Sequence, residues 1–147
     1  MLTSYKELFL KNLNHLNEEI SLYKNETDLW KLAGGISNTP GNLCLHLCGN
    51  LQHYIGALIG NSGYKRNRDA EFSKNNISRS ELLAEINITK DIVSAVLENL
   101  EEKDLEKTFP DKTFGENSSY ANAILQCEVH FTYHLGQINY HRRILGA

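Results

Sequence analysis

Apolar residues recur at intervals of three and four over four stretches of the chain, which predicts four long helices. The first runs from about Thr3 to Tyr23, with Leu8, Leu13, Leu16, Ile20 and Tyr23 on one side and Lys6, Lys11, Glu18 and Glu19 between them. The second opens at Thr39-Pro40, because Thr suits the cap and Pro the first helical position. It continues to about Ile59 with Leu43, Leu47, Leu51, Tyr54 and Leu58 along one face. Ser78-Arg79-Ser80-Glu81 has the form of a capping box and opens the third, which Leu82, Ile86, Ile92 or Val93, Val96 and Leu100 carry to about Glu102. Ser118 or Ser119 caps the fourth, which runs to about Leu145 and stops at Gly146.

The connections are less regular. Trp30, between the first two helices, reads as a plug over the core. Residues 61–76 are polar, rich in turn formers and without period, so they read as loop. Thr108-Phe109 and Thr113-Phe114, around Pro110-Asp111-Lys112, predict a short hairpin. The expected fold is all-α: a single four-helix bundle domain over residues 1–147, with two long connections that leave room for crossovers.

Polar residues add a second pattern to two of these helices. Asn42, His46, Asn50 and His53 form a stripe beside the apolar face of helix two. Gly49, Gly56 and Gly60 make a third strip, which suggests that another helix backbone comes close there. On helix four, Cys127, His130, His134, Gln137 and His141 share one face. His130 and His134 are four residues apart, so their rings stack on the same side of the helix.

Polar groups inside a bundle are costly unless paired or bound, and imidazoles facing each other across helices are a common way to build a bundle metal site. The candidate ligands are therefore His130, His134 and His46, with His53 as an alternative to His46. Hydrogen-bonded core histidines are the plain alternative. Asn42, Asn50 and Gln137 are candidates to orient the rings. Cys127 reads first as a buried filler, with a fourth-ligand or redox role as the other possibility. Cys44 and Cys48 point about 160° from His46 on a helix, so Cys-x-His-x-Cys cannot close on one ion, and both read as core. His15 and His141 read as surface or rim. Neither stripe carries a carboxylate, and Glu128 is turned about 160° from His130, so any acid–base partner has to come from Glu81, Glu85 or a loop.

Composition narrows the function classes. The net charge of −3 comes without a basic stripe, which argues against nucleic acid and anionic membranes. The uncharged run 32–64 is broken by glycines, asparagines and two histidines, so it fails as a bilayer span. No signal-peptide pattern opens the sequence, and 3 cysteines without framework spacing fit a reducing cytoplasm.

Two blocks carry a family resemblance: Asn42-Leu43-Cys44-Leu45-His46-Leu47-Cys48-Gly49-Asn50-Leu51, and His130-Phe131-Thr132-Tyr133-His134-Leu135-Gly136-Gln137-Ile138. In them the chain resembles the DinB-like (DNA-damage-inducible) superfamily of small bacterial four-helix proteins. The resemblance implies an up-down-down-up bundle, commonly a homodimer, with nickel or zinc held by three histidines. Carried onto this sequence these are His46, His130 and His134. It also implies a metalloenzyme, since relatives include transferases and isomerases that use bacillithiol or mycothiol.

Three readings follow. The first is a cytoplasmic metal-dependent transferase or hydrolase that activates a low-molecular-weight thiol or water toward a small-molecule substrate. The second is a non-catalytic metal- or ligand-binding dimer module. The third is a structural dimer whose histidines satisfy each other.

Overall fold

The structure, a computed structural model, describes residues 1–146. The elements in order are α1 (Leu2–Leu22), α2 (Pro40–Leu51), α3 (Arg68–Ser73), α4 (Arg79–Asn99) and α5 (Tyr120–Ile144), with short 3-10 turns at Glu26–Trp30 and Glu102–Glu106. Four long helices form the expected all-α bundle. The packed pairs are α1 with α4, α4 with α2, α2 with α5 and α5 with α1. Consecutive helices α1 and α2 are thus diagonal, as are α4 and α5, so both long connections are crossovers.

The helix starts follow local chemistry. The Thr39 hydroxyl accepts from the Asn42 amide at 3.2 Å, with Pro40 in the first turn. Ser78 and Glu81 complete a reciprocal capping box. Ser119, not Ser118, caps α5 by accepting from Asn122 N at 3.2 Å. Gly146, at φ +68°, takes the left-handed conformation that ends the helix.

The core contains Leu13, Leu16, Ile20, Leu47, Leu51, Ile86, Val93, Phe131 and Ile138, all fully buried. Each such side chain contributes about 1.5–3 kcal/mol relative to exposure. Two details of the expected faces change. In α1, Phe9 is buried and Leu8 is exposed. In α4, the expected alternative of Ile92 or Val93 resolves to Val93, which faces inward. The second change lies beyond Leu51, where the winding widens to a π-helix over Gln52–Ile59. This wider turn brings Ile55 and Ile59 onto the core line in place of Tyr54 and Leu58. Gln52 anchors its start, donating to Glu85 Oε1 at 2.6 Å and Thr89 Oγ1 at 2.9 Å on α4.

Two connections differ from expectation. Residues 61–76 contain a helix, α3, capped by Asn67 Oδ1, which accepts from Ala70 N at 3.1 Å. The hairpin around Pro110 does not form. Thr108 instead bridges Ser119, with Phe109 N donating to Ser118 O at 2.7 Å and Tyr120 N to Lys107 O at 2.9 Å. Capping α5 and holding its first turn use the backbone groups that a hairpin would have paired.

The glycine strip of α2 is covered from within the chain, by side chains rather than by a backbone. A Cβ at Gly56 would meet Ile92, one at Gly60 would meet Val96, and one at Gly49 would fall on the Glu71 carboxylate. Trp30 packs over Gly41 and donates its indole N–H to Ile77 O at 3.1 Å, as a plug would. Among the described residues no helix is long and apolar enough to cross a membrane.

Candidate metal centre

The packing of α2 against α5 brings His46, His130 and His134 together. One ligand nitrogen from each lies within 4.8 Å of the others. His46 Nε2 and His130 Nε2 are 3.0 Å apart, and the ring centroids of His130 and His134 are 4.6 Å apart. Two nitrogens that share one centre at bonds of about 2.1 Å stand about 3.0–3.4 Å apart, so the 3.0 Å spacing of His46 and His130 suits a common ion, with His134 close enough to join it.

The outer nitrogens fix two of the rings. His46 Nδ1 lies 2.9 Å from Glu71 Oε1, so it carries the proton and leaves the Nε2 lone pair facing inward. His134 Nδ1 lies 2.7 Å from Gln137 Oε1, with the same consequence. His130 Nδ1 is buried without a hydrogen-bond partner. Burial pushes the His130 pKa down to about 4, helped by the neighbouring His134, His46, Arg66 and Arg68. Burial also lowers that of His134, with Gln137 acting the other way. Both rings are therefore neutral near pH 7, the state in which imidazole binds a metal.

Glu71 is the residue the sequence reading missed. It comes from α3, within a stretch whose polar, period-free sequence reads as loop, and is buried. Arg66 grips it in a fork, Nε to Oε2 and Nη2 to Oε1, each at 2.9 Å. Burial alone would push its carboxyl up. The hydrogen bonds from His46 and Arg66, with the charge of Arg66, outweigh this and hold it below the usual range. Space for it exists because position 49, a turn beyond His46, has no side chain. Phe72, next along α3, packs on the His46 ring at 4.7 Å between centroids.

The expected surrounding residues fall in different places. Gln137 bonds His134 directly. Asn42 acts at one remove, donating to Glu71 O at 3.0 Å and Lys74 O at 2.7 Å, which ties down the end of α3. Asn50 is buried with its Oδ1 unpartnered, and it does not bond the histidines. His53 meets Tyr54 edge-on, 4.8 Å between ring centroids, and stands outside the cluster. Cys127 is buried in the core, its thiol pushed up to about 12 by burial, and it is not among the clustered ligand groups. Cys44 and Cys48 are likewise core. His141 is not a rim residue: it is buried, with Nδ1 2.9 Å from the Tyr23 hydroxyl and Nε2 2.8 Å from Lys31 O. Glu128 points away from the cluster, where Asn12 of α1 donates to it.

Comparison with known proteins agrees with this architecture. The sequence matches the family described as "Protein of unknown function (DUF1572)" over residues 2–147. The chain belongs to that family. No curated protein matches it. The crystal structure of a DinB-like protein (YjoA) from Bacillus subtilis superposes with a TM-score of 0.72 at 18% identity, over 98% of this chain and 92% of that one. At that identity the likeness speaks for the fold, and the DUF1572 chain has a DinB-like fold. Within that fold, His46, His130 and His134 stand close enough together to hold a metal ion.

Proposed function

We propose that the protein binds a divalent ion, nickel or zinc, through His46, His130 and His134, and that this centre serves a metal-dependent transferase or hydrolase. The observation that carries the reading is the 3.0 Å approach of His46 Nε2 to His130 Nε2, with the far nitrogens of His46 and His134 held by Glu71 and Gln137. An ion held by three imidazoles retains an open position and lends Lewis acidity to a water or low-molecular-weight thiol. The chain's own residues supply orientation. Glu71 and Gln137 fix the ring tautomers, Arg66 keeps Glu71 ionised, and Phe72 covers one face of His46.

One observation favours the second reading, a non-catalytic binding module. The Glu71 carboxylate is spent on His46 and Arg66, which among the described residues leaves no free carboxylate beside the rings to act as general base. Metal analysis of untagged protein, followed by turnover assays with a thiol and an electrophile and with a hydrolysable ester, separates the readings. A bound ion with metal-dependent turnover supports the enzyme. A bound ion without turnover supports the module, and no ion in zinc- or nickel-replete protein removes both.

We further propose a homodimer in the cytoplasm. Leu125 and Val129, exposed on the N-terminal half of α5, offer an apolar surface for a second copy. Sedimentation of wild type against Val129→Lys tests it: a dimer that this charge dissociates is the expected result, and a wild-type monomer contradicts it.

A further inference from the structure

A cavity of about 510 Å³ lies between α5 and the connector leading into α2. It falls within the range of small-molecule sites, about 300–1,000 Å³. Ile36 and Leu43 wall one side, Tyr133 and Tyr140 the other, with Gly136 between the tyrosines. Among the described residues, no Asp, Glu, Lys or Arg lines it. Its histidine, His141, has both ring nitrogens engaged by Tyr23 and Lys31 O. A charged ligand would find no counter-ion among these side chains.

Gln137 gives the cavity its polar anchor and its link to the histidines. Its Oε1 receives the His134 Nδ1 proton, while its amide nitrogen has no hydrogen-bond partner among the described residues. Gln137 is exposed, so that nitrogen donates to solvent until a ligand acceptor takes its place. Gly136 leaves room in front of it, since a Cβ there would meet nothing within 4 Å.

We propose that this cavity binds an uncharged, mainly aromatic or aliphatic small molecule bearing one carbonyl acceptor, such as an ester, ketone or amide, which accepts from Gln137 Nε2. Through Gln137 the carbonyl is one side chain away from His134. The proposal rests on the metal reading only for the meaning of that proximity; binding itself needs no ion.

The probe is prodan, a neutral dialkylaminonaphthyl ketone, titrated by fluorescence into the full chain in the presence of EDTA. A metal-free protein that binds prodan therefore leaves the two readings separately testable. Saturable binding of one equivalent with blue-shifted emission is expected. Gln137→Met should weaken it about 5-fold, the worth of one hydrogen bond. Gly136→Phe, which fills the groove, should weaken it at least about 10-fold. If Gly136→Phe does not fold, Tyr140→Ala at an exposed position carries the same test, with a loss of about 5-fold. The anionic probe anilinonaphthalene sulfonate should bind at least about 10-fold more weakly than prodan. Absence of saturable prodan binding, or binding that these variants leave unchanged, overturns the proposal. So does a wild-type dimer that Gly136→Phe dissociates, since a second copy would then occupy the groove.

Discussion

Two glutamates of this protein are buried almost equally, Glu71 at 6% exposure and Glu128 at 5%, and they behave in opposite ways. Glu71 meets His46 and Arg66, and its carboxyl is held below the usual range. Glu128, facing α1, has an amide from Asn12 on one oxygen and nothing on the other. Burial pushes its carboxyl up, and Asn12 only tempers this. The depth of burial does not decide the charge state; the partners do. The paired carboxylate supports a ring that can bind a ligand, while the unpaired one is a weak point in the packing.

Removing Glu71 should have the largest effect. Glu71→Ala leaves the buried Arg66 guanidinium without its counter-ion and His46 Nδ1 without its acceptor. A loss of about 3 kcal/mol in urea unfolding is expected, together with a roughly 10–100-fold loss of zinc or nickel affinity by calorimetry. Unchanged affinity would show that the carboxylate does not orient the ring.

Gly49→Ala attacks the same carboxylate from α2. A helical Gly→Ala change usually gains about 1 kcal/mol, but here the methyl falls on Glu71. We expect a net loss of about 1–2 kcal/mol and weaker ion binding. Gly136→Ala, where nothing lies within 4 Å, should instead gain about 0.5–1 kcal/mol. Equal signs for the two variants in thermal melts would break the contrast.

Glu128→Gln tests the other side. Because the folded carboxyl titrates above its ordinary value of 4.5, the folded state keeps a proton that the unfolded chain has released in the window above that value. Stability therefore falls as pH rises through this window, and the amide removes the loss. A gain of about 1 kcal/mol at about pH 7–8, vanishing near pH 4.5, is expected in urea melts. His130 has the opposite sign. Its value drops from 6.5 to about 4, so the unfolded chain holds the extra proton between them, and stability falls as pH drops through that interval.

The sequence made the bundle and the three histidines legible for the same reason: both are periodic. His130 and His134 share a face by spacing, and the stripe with His46 stands out among apolar neighbours. Glu71 was hidden because α3 has only six residues, too few to show a period. Two local signals pointed to it, the Asn67 cap and the costly glycine at 49, but neither identifies the side chain that fills the gap. The hairpin expected around Pro110 failed because strand-like residues there pair with the start of α5, a long-range choice that local pattern does not encode. The inward turn of His141 depends on Tyr23 and Lys31 O, distant in sequence, and is invisible to spacing alone.

Whether the imidazoles of His46, His130 and His134 converge on one ion can be read from anomalous scattering by crystals grown with excess zinc or nickel. A single peak bounded by the three Nε2 atoms, at about 2.0–2.1 Å from each, is expected. No peak there, with His46 Nε2 and His130 Nε2 still 3.0 Å apart in a direct hydrogen bond, would contradict it.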